Sequence, residues 1–165
     1  MPATARMALT RKARAASRAA TATPSEAAEL LADLLADVPL FAGVSTRNLR
    51  KIARQAIVSR FDPKAPIVNA GEPGEAFYVI LSGRATVRRR GRPKTELGPG
   101  AYFGEMALLD GTRRTATVVA ETETVCLILA RKAFAKILKE EPAVTSTLLR
   151  TLAARVRELE ALPAD

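Results

Sequence analysis

Residues 98–118 read GPGAYFGEMALLDGTRRTATV, two turn signals around a short apolar run, and they suit neither a barrel hairpin nor a surface helix. Residues 103–109 are too few and too apolar for an amphipathic helix but fit a single helical turn with free N-terminal amides. Gly104 allows a ligand to approach the backbone. The amides of Glu105, Met106 and Ala107, at the positive end of that turn, make an anion site. Further on, Arg114 opens the next strand, where its fork of donors closes the cradle from the other side. Glu105 stands at the mouth of an otherwise cationic pocket. A phosphate would repel it unless it serves another part of the ligand, such as a sugar hydroxyl. A phosphate joined to a ribose is the chemistry this order of residues asks for. A lone Gly-Glu pair or a lone arginine after a turn is structural in most proteins; the fixed order and spacing carry the inference.

Outward from this stretch, from about residue 58, the chain is a series of short β-type runs, IVSRF, PIVNAG, AFYVILSG, RATVRRRG, TATVVA and ETVCLIL, broken by Gly and Pro turns. Six or more strands in so short a span imply an antiparallel barrel or sandwich. Helical spacing flanks them. Ser25 is read as the N-cap of a helix through Ala36, and Ser45 as the cap of a second. In that second helix Leu49, Ile52, Ala53, Ala56 and Ile57 form one face, opposite Arg47, Arg50, Lys51 and Arg54. After the strands, residues 132–139 read as one helix. Val144, Leu148, Leu149, Leu152, Ala153 and Val156 stripe another, with Pro142 in its first turn. The expected organisation is a flexible basic arm over residues 1–24, N-terminal helices over 25–57, strands over 58–130 and C-terminal helices over 131–160.

Composition narrows the function classes. The 165 residues include no histidine and one cysteine, so the commonest general base, zinc clusters and an intramolecular disulfide are excluded. Cys126 lies in an apolar run and reads as a buried, inert thiol. The net charge of +9 is uneven. Arg6, Arg11, Lys12, Arg14 and Arg18 meet no acid before Glu26, whereas the remaining chain carries 21 Lys and Arg against 17 Asp and Glu. With few large apolar groups, residues 1–24 are expected to be a solvated tail. Their Arg- and Ser-containing, acid-free composition also resembles an organellar transit peptide, while an Ala/Arg-rich tail suits a high-GC bacterial proteome. No apolar run is long enough to cross a bilayer. The expected setting is a bacterial cytoplasm.

FGEMALLDGTRRTATV resembles the phosphate-binding cassette of the cyclic nucleotide-binding domain family, FGE-[LIM]-A-L-x-x-x-x-x-R-[AT]-A-[TS]-V, and here occupies residues 103–118. VPLFAGVS and NAGEPGEAFYVILSGRATV resemble flanking parts of the same family, so the likeness runs over residues 38–158. It implies an α+β fold: an eight-stranded antiparallel, jelly-roll-like β-roll with N-terminal helices, a short cassette helix and two C-terminal helices, the last closing over a purine. It further implies that Glu105 accepts the ribose 2′-hydroxyl, that Gly104, Met106 and Ala107 line the sugar-phosphate, and that Arg114 pairs with the cyclic phosphate. Thr115 stands where many members have alanine and offers a hydroxyl to the phosphate or to a guanine amine. Arg155, with Leu152 beside the same lid, falls where related channels place a purine-contacting arginine. Arg113 replaces a frequent proline and is expected to face water.

The expected function is a cyclic nucleotide sensor, for cAMP before cGMP, that acts through closure of residues 143–159 and a protein partner in trans, with self-association open. It is expected to be no enzyme and to need no catalytic cofactor or metal, since the cassette offers no nucleophile, base or metal set. The few residues after the last helix are too short for an appended helix-turn-helix. Two other readings stand beside it: a structural or interaction β-roll that does not signal, and a nucleic-acid-associated protein using the basic arm, whose removal would abolish binding.

Overall fold

A computed structural model of the chain describes residues 3–163. Two four-stranded antiparallel sheets form a β-roll, one in the order β1-β8-β3-β6 and the other β2-β7-β4-β5. The strands are β1 (Ile57–Phe61), β2 (Pro66–Val68), β3 (Ala76–Ser82), β4 (Ala85–Arg88), β5 (Thr95–Leu97), β6 (Tyr102–Phe103), β7 (Thr117–Ala120) and β8 (Thr124–Ala130). The helices are α1 (Ala3–Ala19), α2 (Pro24–Ala36), α3 (Thr46–Gln55), α4 (Glu105–Asp110), α5 (Arg131–Glu140) and α6 (Pro142–Glu160), with a 3-10 turn at Pro39–Phe41.

The uninterrupted apolar texture of β3 and β8 follows from their place between two cores. Side chains alternate across a strand. Phe77, Val79 and Leu81 of β3, with Val125, Leu127 and Leu129 of β8, face the helices α1, α2, α3, α5 and α6. Ile80 and Cys126 face the interior of the roll with Ile67, Val87, Phe103 and Val118. Burial on both faces removes the polar alternation of a half-exposed strand. Cys126 is fully buried, and burial pushes its thiol up to about 12.

Two expectations about the N-terminal region are corrected. Residues 3–19 are not a flexible arm but the helix α1, which buries Ala16 and Ala19 among α2 and the outer face of the first sheet. Alanine has the highest helix propensity and loses no side-chain entropy on packing. A row of alanines can therefore dock where large apolar groups are few; Lys12 adds an ion pair to Asp37 at 3.0 Å. The cap of α2 is Thr23, not Ser25: its hydroxyl accepts from the Glu26 amide while the Glu26 carboxylate accepts from the Thr23 amide. That reciprocal box, with Pro24 at the first helical position, sets the start two residues earlier. Ser45 caps α3 through the Asn48 amide at 3.2 Å.

Candidate functional site

The cassette is assembled from α4, the turn before it and the segment leading into β7. Gly104 precedes α4 with φ +95°. A Cβ there would lie 2.7 Å from Arg114 Nη1 and 2.9 Å from the Ala76 carbonyl oxygen, so glycine is required by conformation and by space. Gly74 is constrained by space alone: a Cβ on it would overlap that of Ala107. The glycine-punctuated loop before β3 therefore seats α4 by close contact. Arg131 donates to the Gly74 carbonyl and ties α5 to the same loop. At the far end of α4, the hydroxyl and amide of Thr112 donate to Asp110 at 2.6 and 3.0 Å, holding that carboxyl below its ordinary value. Gly111, at φ +69°, turns the chain towards Arg114.

Arg114 lies three residues before β7 rather than opening it. Its backbone is fixed on both sides, its amide donating to Glu72 and its carbonyl accepting from Gly71. Its side chain is buried, Nη2 donating to the Ala76 carbonyl at 2.8 Å and the guanidinium lying 5.6 Å from the centre of the Tyr78 ring. Tyr78 stacks in turn on Phe103, with ring centres 4.9 Å apart. Among the described residues no carboxylate pairs with Arg114. A cation that is 8% exposed and lacks a counter-charge is costly, and the cost is removed by an anion arriving from the open side.

Glu105 is buried at the start of α4. Its Oε1 accepts from Nη1 of Arg155 at 2.5 Å, so a side chain of α6 reaches the cassette helix and Arg155 is not simply a solvated helix arginine. Ala107 is buried against Gly74, whereas Met106 and Thr115 are exposed. Leu152 is half-buried against the helical core. Arg113 does not merely face water: it donates to the Gly71 carbonyl at 2.9 Å and pairs with Pro73. Gly104, Glu105, Ala107, Arg114 and Arg155 are thus brought together, with Met106 and Thr115 on the rim.

Sequence reasoning did not single out Gly74, Ala76 and Tyr78 as parts of this site. Their signal is the run GEPGEAFY at residues 71–78, a tight loop feeding a buried strand. A separate groove of about 500 Å³ between α3 and α5 is lined by Lys51, Arg54, Lys136, Glu140 and Glu141 over Ile52 and Ile137. Its charges are mixed and Lys51, Arg54 and Lys136 are exposed, so it lacks the buried cation that marks the cassette. Among the described residues no helix is long and apolar enough to cross a membrane.

Comparison with known proteins identifies the family and agrees with the fold. The family model of the cyclic nucleotide-binding domain matches residues 58–141. A cGMP-dependent protein kinase of Toxoplasma gondii is 38% identical over 104 residues, covering 63% of this chain and 10% of the kinase. A cyclic nucleotide-gated potassium channel of Rhizobium etli is 37% identical over 123 residues, covering 74% of this chain and 34% of the channel. The chain thus spans at most about a third of the length of these relatives. Among solved structures, the regulatory domain of Toxoplasma gondii PKA with cAMP superimposes with a TM-score of 0.68 at 27% identity, over 78% of this chain and 50% of that one.

Proposed function

Since the chain belongs to the cyclic nucleotide-binding domain family, we propose that it is a sensor that binds a purine cyclic monophosphate, cAMP in preference to cGMP, in the cassette and relays occupancy through α6 to a protein partner. The observation that carries this reading is the buried guanidinium of Arg114, which pairs with no carboxylate among the described residues, beside the free turn of α4. A cyclic phosphate there meets a two-pronged donor and the first-turn amides of Met106 and Ala107. Glu105 then accepts the ribose 2′-hydroxyl at the same mouth. Thr115, exposed next to Arg114, has a hydroxyl that serves either nucleotide. Likeness to a regulatory domain solved with cAMP favours cAMP, and the cGMP-dependent kinase among the relatives makes cGMP the competitor to measure. On this reading the protein acts by binding, with Glu105 and Arg114 as ligand contacts.

The output element is α6. Leu152 already rests on the helical core, while Val156 and Leu159 are half-exposed and reach a purine if the helix tightens over the site. A ligand shifts α6 only by its difference in affinity for the two arrangements. Calorimetric titration of the wild type with cAMP and cGMP, beside Arg114→Ala and Glu105→Ala, tests the reading. Binding that both variants weaken by a factor of about 100 or more supports it and names the nucleotide. A folded, ligand-free wild type that binds neither overturns it and leaves a roll that does not signal.

A second reading of the output rests on Leu149, Leu152, Val156 and Leu159 of α6, spaced three and four residues apart, of which Leu149, Val156 and Leu159 are exposed. This spacing suits pairing with a second copy of the chain. Light scattering with Leu149→Glu and Val156→Glu separates it from a monomeric sensor.

A further inference from the structure

Helix α1 sorts four of its five cations by side; the fifth, Arg6, is exposed and lies about 110° around the axis from the row formed by three of the others. Lys12, towards the body, is bridged to Asp37. Arg11, Arg14 and Arg18 are exposed and follow one another at three and four residues, which puts them in one row about 10 Å long. That row points about 140° away, around the helix axis, from the buried Ala16 and Ala19. Among the described residues none of the three arginines makes an ion pair. Glu26 is near enough to Arg18 for its carboxyl to be lowered by it, but the larger influence on that carboxyl is the Thr23 cap. Helix α1 carries no acid of its own.

We propose that this row is a docking surface for the phosphate backbone of a nucleic-acid duplex. Three guanidiniums held at helical spacing, with no ion-pair partner among the described residues, match a polyanion of regular charge. Three successive phosphates of one strand rise about 7 Å along a duplex axis, within reach of long side chains rooted over about 10 Å. The forked donors suit phosphate oxygens. A bilayer is the poorer match: a helix that lies in a membrane inserts an apolar face, and the apolar side of α1 is made of alanines already buried against the roll. Met7 is the one large apolar side chain in line with the arginine row, exposed four residues before Arg11. Because the contacts are to phosphate, binding is independent of base sequence. The proposal does not depend on nucleotide binding in the cassette.

The test is fluorescence polarisation of the full chain with labelled 20-base-pair DNA and RNA duplexes of two unrelated sequences, over 50–200 mM KCl. Three phosphate contacts predict a slope of about −2.7 in log K against log salt, an affinity loss of about 40-fold over that range. The triple variant Arg11→Gln/Arg14→Gln/Arg18→Gln abolishes binding, and Lys12→Gln leaves it intact. Should the triple variant unfold, each single Gln variant lowers the slope by about 0.9. Binding to one duplex type alone names the source of the phosphate. No binding at 50 mM KCl, a Gln series that matches the wild type, or binding only to vesicles containing phosphatidylserine overturns the proposal.

Discussion

Arg155 of α6 and Glu105 of α4, fifty residues apart in the chain, meet at 2.5 Å between Nη1 and Oε1. The carboxylate is buried and the guanidinium is 43% exposed, so the pair stands at the rim of the cassette with one member inside. The same carboxylate that would take a ribose hydroxyl already accepts, at Oε1, from the helix that would close over the base. Occupancy of the site and position of α6 therefore meet at one carboxylate.

Replacing Arg155 by Ala is expected to loosen the C-terminal half of α6 in the nucleotide-free protein. Arg155 is half exposed, but its loss leaves the buried Glu105 carboxylate without that partner, so the cost is expected at about 1–3 kcal/mol, or roughly 2–12 °C in Tm for a chain of this size. Hydrogen exchange at residues 150–160 should quicken while the sheets stay protected. Unchanged exchange would mean that the pair does not restrain the helix.

Arg114→Met separates the cost of a buried charge from its use. Methionine keeps much of the length and the contact with Tyr78 while removing the cation and its hydrogen bond to Ala76. The ligand-free variant is expected to be at least as stable as the wild type, because an unpaired buried charge has gone. With nucleotide at 100 times its Kd the wild type gains about 2.7 kcal/mol, roughly 5–11 °C in Tm, and the variant gains none. Thermal melts with and without nucleotide check both arms.

Cys126 is expected to resist thiol reagents at pH 8 until the protein unfolds, because burial holds its thiol protonated to about 12. An unfolded chain releases that proton near the ordinary value of 9.0. A folded value raised above the unfolded one makes this contribution to stability complete below pH 9 and lost as pH climbs towards 12. Denaturant melts over pH 8–11 should show a fall that Cys126→Val reduces, and Ellman's reagent should label the wild type no faster than it unfolds.

How much of this was legible in the chain depends on distance along it. Gly104, Glu105 and Arg114 fall within eleven residues, so local order alone points to a phosphate cradle, and the doubly buried β3 and β8 announce themselves as apolar runs. The strands β5 and β6, of three and two residues, have no pattern of their own. They exist because Ala85–Val87 and Tyr78–Val79 offer ladder partners. The docking of α1 rests on small alanines whose packing depends on the surface they meet, which no window of sequence contains. The Thr23 box could have been read from Thr-Pro-Ser-Glu; the meeting of Arg155 with Glu105 could not, since it needs the direction in which α6 leaves α5 relative to α4.

Gly74→Ala tests whether the loop before β3 sets the height of the cassette helix. The added methyl would overlap the Cβ of Ala107, and neither group has a torsion by which to move aside, so α4 must lift or the loop must retreat. Overpacking of this kind costs about 1–3 kcal/mol. Because α4 carries Glu105 and the first-turn amides, nucleotide affinity should fall along with stability. Ala107→Gly alone weakens α4 by about 1 kcal/mol through its glycine, but in combination it removes the overlap. The double variant is therefore expected to recover nucleotide affinity relative to Gly74→Ala, with a favourable coupling energy of about 1 kcal/mol or more in the mutant cycle. Strict additivity of the two changes would show that Gly74 acts on the site by some route other than its contact with Ala107.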